Sequence, residues 1–454
     1  MIRAGSVIDG FEVAAALHEG GMAVLHPVSK PGLDLPLLMK VPRLRRGEDP
    51  AAIVSFEMEQ MILPRISGPH VPRFIAQAGF EANPYIVMER IGGAALSRRL
   101  PQAPLPAEEV AAIGAAVAEA LDSLHCQHVV HLDVKPANIL FRADGTAVLV
   151  DFGLAHHDQL PDLLAEEFRL PYGTAPYMAP EQVQGVRNEP RSDLFALGAV
   201  LYQLATGELP FGEPQHIRAV KRRAWRDPVP PRRRNPAIPP WLQEIILRCL
   251  EAAPERRHPT AAQLAFDLRH TDQVALGPRA ARLRRDDWLT VLRRRLRPEE
   301  VAAPSRGIAG QVTAAPILAV AIDTARGNEA IAALLRNQAA KMLGSRPEAR
   351  LACLNVLRAN AAEDGDGNPH VRRLVELQHW ARPLALPEDR VTFHVLEAED
   401  AAEAILDYAR ANRVDHIVMG ARENSLARRL LGSVSGRVAA EAPCSVTVVR
   451  RRGA

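Results

Sequence analysis

The chain has 454 residues, enough for roughly two to four domains, with 47% apolar and 24% charged residues. Its formal net charge of +3 gives no whole-protein case for nucleic-acid binding, and no run of about 18 uncharged apolar residues offers a membrane span. The start, M-I-R-A-G-S-V-I-D-G, lacks an apolar signal core, and Cys126, Cys249, Cys353 and Cys444 follow no metal-site or disulfide spacing, so a cytoplasmic protein with reduced thiols is expected.

Residues 9–42 read as short strands, the first carrying Phe11, Val13 and Ala15. A turn through Gly20 and Gly21 follows, then strands at 24–28 and 37–41, the second carrying Lys40. Glycine turns between strands let backbone N–H groups approach phosphates closely. Basic residues are almost all arginine, with lysine only at 30, 40, 135, 221 and 341. A lysine kept in such a chain suggests a task that a compact ammonium performs and a planar guanidinium does not. Residues 51–66 show helical spacing through Ile53, Phe56, Met61 and Leu63, with Pro64 expected to bend or end the helix. Glu57, in this helix, reads as a solvated surface carboxylate. Apolar side chains at 110, 113, 117, 121 and 124 predict a helix over 107–125.

That helix leads into H-L-D-V-K-P-A-N-I-L-F-R-A-D-G-T-A-V-L-V-D, residues 131–151, followed by Phe152 and Gly153. Two apolar runs about Asp144-Gly145 predict a β-hairpin. The hairpin brings Asn138 at its entry close to Asp151 at its exit, where an amide oxygen and a carboxylate could grip one divalent cation. Asp133, five residues before Asn138, is then placed to accept a proton from a hydroxyl nucleophile. Phosphoryl transfer needs this layout, because that chemistry depends mostly on positioning and on neutralising phosphate charge.

The stretch resembles the catalytic loop and metal-binding motif of eukaryotic-type serine/threonine protein kinases. The resemblance covers about residues 9–269, with an N-lobe over 9–90 and a C-lobe over 91–269. It implies an α+β two-lobed fold that uses ATP and Mg²⁺ on protein substrates. Lys40, held by Glu59, would contact the α- and β-phosphates. The family's glycine-rich turn falls here on His18, Gly20 and Ala23, so only the middle glycine survives, with Gly21 beside it. Residues 85–93 resemble the last N-lobe strand and the hinge, with Met88 flanking adenine and the backbone from Glu89 to Ile91 along its edge. Asn138 and Asp151 would coordinate Mg²⁺, Asp133 would orient and deprotonate the substrate hydroxyl, and Lys135 would stabilise the γ-phosphate. A lysine two residues after the base is the Ser/Thr pattern. Ala179-Pro180-Glu181 resembles the end of an activation segment, and Arg257 stands where the family pairs an arginine with that glutamate.

Two departures bear on control. The residue after His131 is Leu132, where regulated kinases carry an arginine, and no serine or threonine lies between Gly153 and Gly173. Together they predict an enzyme not switched by activation-loop phosphorylation. Glu166 and Glu167 could supply fixed charge in place of a phosphate, but read first as a solvated acidic turn. Two other classes remain open from sequence: a pseudokinase scaffold, and a nucleotide sensor acting through the C-terminal domain.

Residues 270–311 read as a basic helical linker rather than a membrane anchor. From 312 to 450 strands and helices alternate, which predicts a separate α/β doubly wound domain with a parallel sheet. This segment resembles a universal stress protein domain. The resemblance implies nucleotide contacts at Asp323, Gly432 and Ser433, although Glu423 stands where the family has a glycine. It also implies a sensory or dimerising module, with a homodimer formed through the last strand.

Overall fold

The computed structural model describes residues 3–44, 50–168, 172–214, 216–284, 286, 288–296, 316–324, 329–357, 368–387, 390–421 and 433–450. The chain opens with strands β1 (Val7–Ile8), β2 (Phe11–Val13), β3 (His18–Glu19), β4 (Ala23–Ser29) and β5 (Leu37–Pro42). Helix α1 (Pro50–Ile62) and strands β6 (Phe74–Ala78) and β7 (Tyr85–Glu89) follow. The strands form an antiparallel sheet in the order β1-β2-β4-β5-β7-β6, with β3 paired to β4. Side chains alternate across a strand. On β5 this sends Leu37 and Met39 into a core with Phe11, Val13, Val28, Tyr85 and Val87. Lys40 therefore points to the opposite face, where α1 packs. Helix α1 ends at Ile62, and Pro64 lies in the tight 3₁₀ turn Leu63–Arg65 that follows.

The second lobe contains α2 (Ala107–His125), β8 (Val129–Val130), β9 (Ile139–Phe141), β10 (Ala147–Leu149), β11 (His156–His157) and α3 (Leu163–Glu167). After them come α4 (Arg191–Thr206), α5 (Ile217–Lys221), α6 (Pro231–Arg234), α7 (Pro240–Cys249) and α8 (Ala261–Arg269). Helix α2 packs on α4 and α8, and buries Val110, Val117, Leu121 and Leu124. The expected hairpin is present, with Ile139 opposite Leu149 and Phe141 opposite Ala147. Between the lobes Gly93 passes so close to the hairpin that a Cβ there would lie 1.5 Å from the Phe141 carbonyl oxygen. No other residue type fits that crossing.

The connector, expected as a basic helical linker over 270–311, is helical over part of its described residues, and 297–311 lie outside them. Its helix, α9 (Trp288–Leu296), begins late because the preceding backbone is engaged by the second lobe. Gln243 donates to the carbonyls of Arg279 and Arg282, both at 2.8 Å, and the Ala280 N–H donates to Glu244 at 2.9 Å. The arginines pair with acids of the lobe: Arg279 with Glu244 and Glu251, each at 2.9 Å, and Arg294 with Asp227 at 3.0 Å.

The C-terminal domain alternates β12 (Ile317–Ala321), α10 (Glu329–Ser345), β13 (Arg350–Leu357), α11 (Pro369–Ala381) and β14 (Val391–Glu397). It continues with α12 (Ala401–Ala411), β15 (His416–Gly420), α13 (Ser433–Glu441) and β16 (Ser445–Val449). All strand pairs are parallel, in the order β14-β13-β12-β15-β16. The near-continuous apolar runs of β12 and β13 suit strands covered on both faces. Strand order reverses between β12 and β15, the place where doubly wound sheets open a ligand crevice.

Candidate active site

Strand β5 and helix α1 place Lys40 against Glu59, and the Lys40 ammonium lies 2.8 Å from Asp151 as well. One ammonium thus ties the sheet and α1 in the first lobe to the hairpin exit in the second. Burial pushes the Glu59 carboxyl up, against the pull of Lys40. Lys40 holds Asp151 below the ordinary carboxylate range despite burial, so Asp151 is ionised. For Lys40, burial works against the charge, but Asp151 and Glu59 outweigh it and raise its pKa.

Asp133 is the hub of the second lobe's half of the site. Its carboxylate accepts from the Thr174 N–H at 3.0 Å, the Thr174 hydroxyl at 2.6 Å, the Lys135 ammonium at 2.6 Å and the Asn138 amide at 3.0 Å. Lys135 also donates to the Thr174 hydroxyl oxygen at 3.0 Å. Asn138 has its nitrogen committed to Asp133, through both the side chain and the backbone carbonyl. The Val150 N–H donates to the Asn138 carbonyl at 3.0 Å. The two ends of the hairpin therefore meet, with Asp151 one residue further along.

A residue that sequence reasoning passed over shapes this loop. Asp193, at the start of α4 and fully buried, accepts from the N–H groups of His131 (2.9 Å) and Leu132 (2.8 Å) and from His125 (2.9 Å). The only hint in the sequence is an acid opening an otherwise apolar helix. Leu132 and Asp151 both have positive φ, +61° and +69°. For non-glycine residues such backbone costs about 1–3 kcal/mol each and persists where surroundings over-determine it. The Asp193 carboxylate supplies that at Leu132. Phe152 is buried with its ring 5.3 Å from that of His131. Beside it, a Cβ on Gly153 would lie 2.2 Å from the Ser55 hydroxyl oxygen, so α1 sits directly on this glycine.

The Glu181–Arg257 ion pair expected from sequence is formed in bidentate geometry, at 2.5 and 2.8 Å, with both residues almost wholly buried. Ser192 donates to Glu181 as well, and the Arg257 guanidinium lies 5.0 Å from the Phe195 ring. Gly20 and Gly21 form the turn between β3 and β4, where the Gly20 N–H donates to the Ala23 carbonyl at 3.0 Å. Met88 and Ile91 are buried where β7 leads into the second lobe. The Glu89 carboxylate is clamped by the Arg142 guanidinium, and its N–H is taken by the Arg73 carbonyl. In the C-terminal domain Asp323 lies just past β12 and is exposed, while Ser433 opens α13. Gly432 lies outside the described residues.

The acidic turn is corrected. Glu166 and Glu167 are not solvated: their side chains are 9% and 3% exposed, and they meet Arg350, His370, His394 and Tyr408 of the C-terminal domain. Glu57 is not a surface carboxylate either. Burial, with Glu167 nearby, pushes its carboxyl up to about 8. The sequence could not show this, because the partners lie far away along the chain.

Two lobes, a lysine–glutamate pair across the first and an acid-centred loop in the second give the fold and site layout of the kinase class. The chain belongs to the protein kinase family: the family model for the protein kinase domain matches residues 38–267, about half of the chain. Residues 317–450 match the universal stress protein family. Among similar curated proteins is serine/threonine-protein kinase PknB of Mycobacterium leprae, 32% identical over 265 residues, covering 57% of this chain and 42% of that protein. The protein of the same name from Mycolicibacterium smegmatis is 31% identical over the same length and shares. The chain thus spans less than half the length of these relatives. A crystal structure of the PknI kinase domain from Mycobacterium tuberculosis is similar at 25% identity and a TM-score of 0.47, covering 59% of this chain and 99% of that one. Among the described residues no helix is long and apolar enough to cross a membrane.

Proposed function

We propose that this chain is a serine/threonine protein kinase that transfers the γ-phosphate of ATP to hydroxyls of protein substrates. The observation that carries the reading is the joined network: Lys40 with Glu59 and Asp151 on one side, and Asp133 with Lys135, Thr174 and Asn138 on the other. Asp133 orients the substrate hydroxyl and takes its proton. Lys135, 2.6 Å from that carboxylate, brings positive charge to the side of the transferred phosphate. Lys40, fixed by Glu59, meets the other phosphates, the Gly20–Gly21 turn covers them, and Met88 with the backbone of Glu89 and Ile91 borders the base. The donor set at Asn138 and Asp151 is hard oxygen, which suits Mg²⁺. The Asn138 nitrogen is bound elsewhere, leaving its oxygen for the metal, and Asp151 is ionised. Bound there, Mg²⁺ supplies neutralisation of phosphate charge.

The enzyme is of the kind without arginine before the base, and its activation segment is not switched by phosphorylation. Thr174 supports this reading, because its hydroxyl is engaged with Asp133 and Lys135. A phosphate on Thr174 would set a dianion against the Asp133 carboxylate. The unpaired cysteines, Cys249 and Cys353 among them buried, support a cytoplasmic setting. The reversal of strand order between β12 and β15, with Asp323 just past β12 and Ser433 opening α13, supports a sensory role with bound nucleotide. Strand β16, at the edge of the sheet, is the surface for a homodimer.

The test is transfer of label from γ-labelled ATP to the chain itself and to a general protein acceptor, for the parent, Asp133→Asn and Lys40→Met. The kinase reading expects transfer by the parent and its loss in both variants. A parent that binds ATP without transferring phosphate would favour the scaffold instead.

A further inference from the structure

The seam between the two domains falls on the activation segment. Helix α3, in the middle of that segment, packs on α1 from one side and on β14 and α12 from the other. Its two glutamates carry the contact. Glu166 lies 2.6 Å from Arg350 and 3.0 Å from His394, and it accepts from the Tyr408 hydroxyl at 3.1 Å. Asn412 donates to the Glu166 backbone carbonyl, also at 3.1 Å. Glu167 lies 3.5 Å from His394 and 3.8 Å from His370. His394 is wholly buried, and its ring nitrogens approach the glutamates without hydrogen-bond alignment. Apolar packing runs across the seam too, through Leu163, Leu164 and Val395, and a cavity of about 410 Å³ remains between Pro50, Phe168, Val395 and Tyr408.

Kinases controlled through this segment add phosphate to it and bind that phosphate with an arginine beside the base. This chain has neither a serine or threonine between Gly153 and Gly173 nor an arginine at 132. It has two fixed carboxylates at the same place in the segment, and the guanidinium that meets them comes from β13 of the C-terminal domain. We propose that the C-terminal domain is the built-in partner of the activation segment: Arg350 and His394 grip Glu166 and Glu167 and hold α3 against α1 in the arrangement that pairs Lys40 with Glu59. Its consequence for catalysis rests on the kinase reading above. These residues touch no substrate; they are positioning residues, and signals reaching the C-terminal domain act on the kinase through this grip.

The test uses the full chain with Arg350→Ala, Glu166→Gln and the conservative Arg350→Lys. Two quantities are read: amide hydrogen exchange over residues 160–168, and kcat with KM for ATP. The expected result for Arg350→Ala and Glu166→Gln is exchange at least tenfold faster in that window and a fall of about tenfold in kcat, with KM for ATP within twofold. Arg350→Lys should recover most of both. Unchanged exchange in Arg350→Ala would overturn the grip, and faster exchange with unchanged kcat would overturn its role in positioning. If the parent transfers no phosphate, the kinase reading fails, and the exchange measurement alone still decides whether the grip exists.

Discussion

Asp133 takes four hydrogen bonds from three residues, so its carboxylate cannot swing away from the cleft. Asp133→Asn keeps the shape and removes the basic oxygen; general-base catalysis is worth roughly 10²–10⁴-fold, and transfer should fall by that factor, with a smaller loss of thermal stability because the new amide nitrogen faces two donors. Thr174→Ala should leave Asp133 without its hydroxyl donor, the backbone N–H remaining, and lower kcat, whereas Thr174→Ser should stay close to the parent. Arg257 predicts the opposite pattern. It is fully buried against Glu181 and makes no contact with the catalytic groups. Removing one partner of such a pair costs about 3–5 kcal/mol, so Arg257→Ala should show a large fall in denaturation midpoint. A midpoint within about 1 °C of the parent's would contradict the buried-pair account.

At the scale of elements, what the sequence reveals depends on whether the cause is local. Helix 107–125 was readable because its apolar spacing is its own, and α2 has those bounds. The hairpin was readable from Asp144-Gly145 between apolar runs, and Pro64 announced the end of α1. The ion pair at Glu181 and the meeting of Lys40 with Glu59 followed from the family's spacing. What stayed hidden depends on distant chain. Asp193 shapes the catalytic loop from sixty residues away, and Glu57, Glu166 and Glu167 look like ordinary surface acids until the C-terminal domain covers them. The late start of the helix in the connector has the same kind of cause, since Gln243 and Glu244 claim the backbone that precedes it. Close packing of α1 on Gly153 gives a further prediction. Gly153→Ala must push Ser55 aside, overpacking worth about 1–3 kcal/mol, and should disturb α1 and lower transfer more than it lowers stability.

For the whole molecule, the seam between domains is expected to loosen at alkaline pH. His394 is pushed up to about 9: burial opposes its charge, but Glu166 and Glu167 outweigh burial. Its folded value lies above the ordinary value of about 6.5, so the stabilisation it gives is complete below that and is lost as pH rises through about 9. Glu57, pushed up to about 8 by burial and by Glu167, gains a like charge over the same interval. Arg350 and Tyr408 are both raised and keep their charge states there, and His370, between Glu167 and Glu397, is the remaining titratable group facing the pair. Hydrogen exchange over 160–168 should therefore accelerate between about pH 7 and pH 9 in the parent, and the rise should be smaller in His394→Gln.

The most direct test of the central claim is the acceptor of the phosphate. When the parent is incubated with γ-labelled ATP and Mg²⁺ and the labelled protein is hydrolysed, label should be recovered as phosphoserine or phosphothreonine, and Asp133→Asn should give none. Equal label in parent and Asp133→Asn, or label in neither, would contradict it.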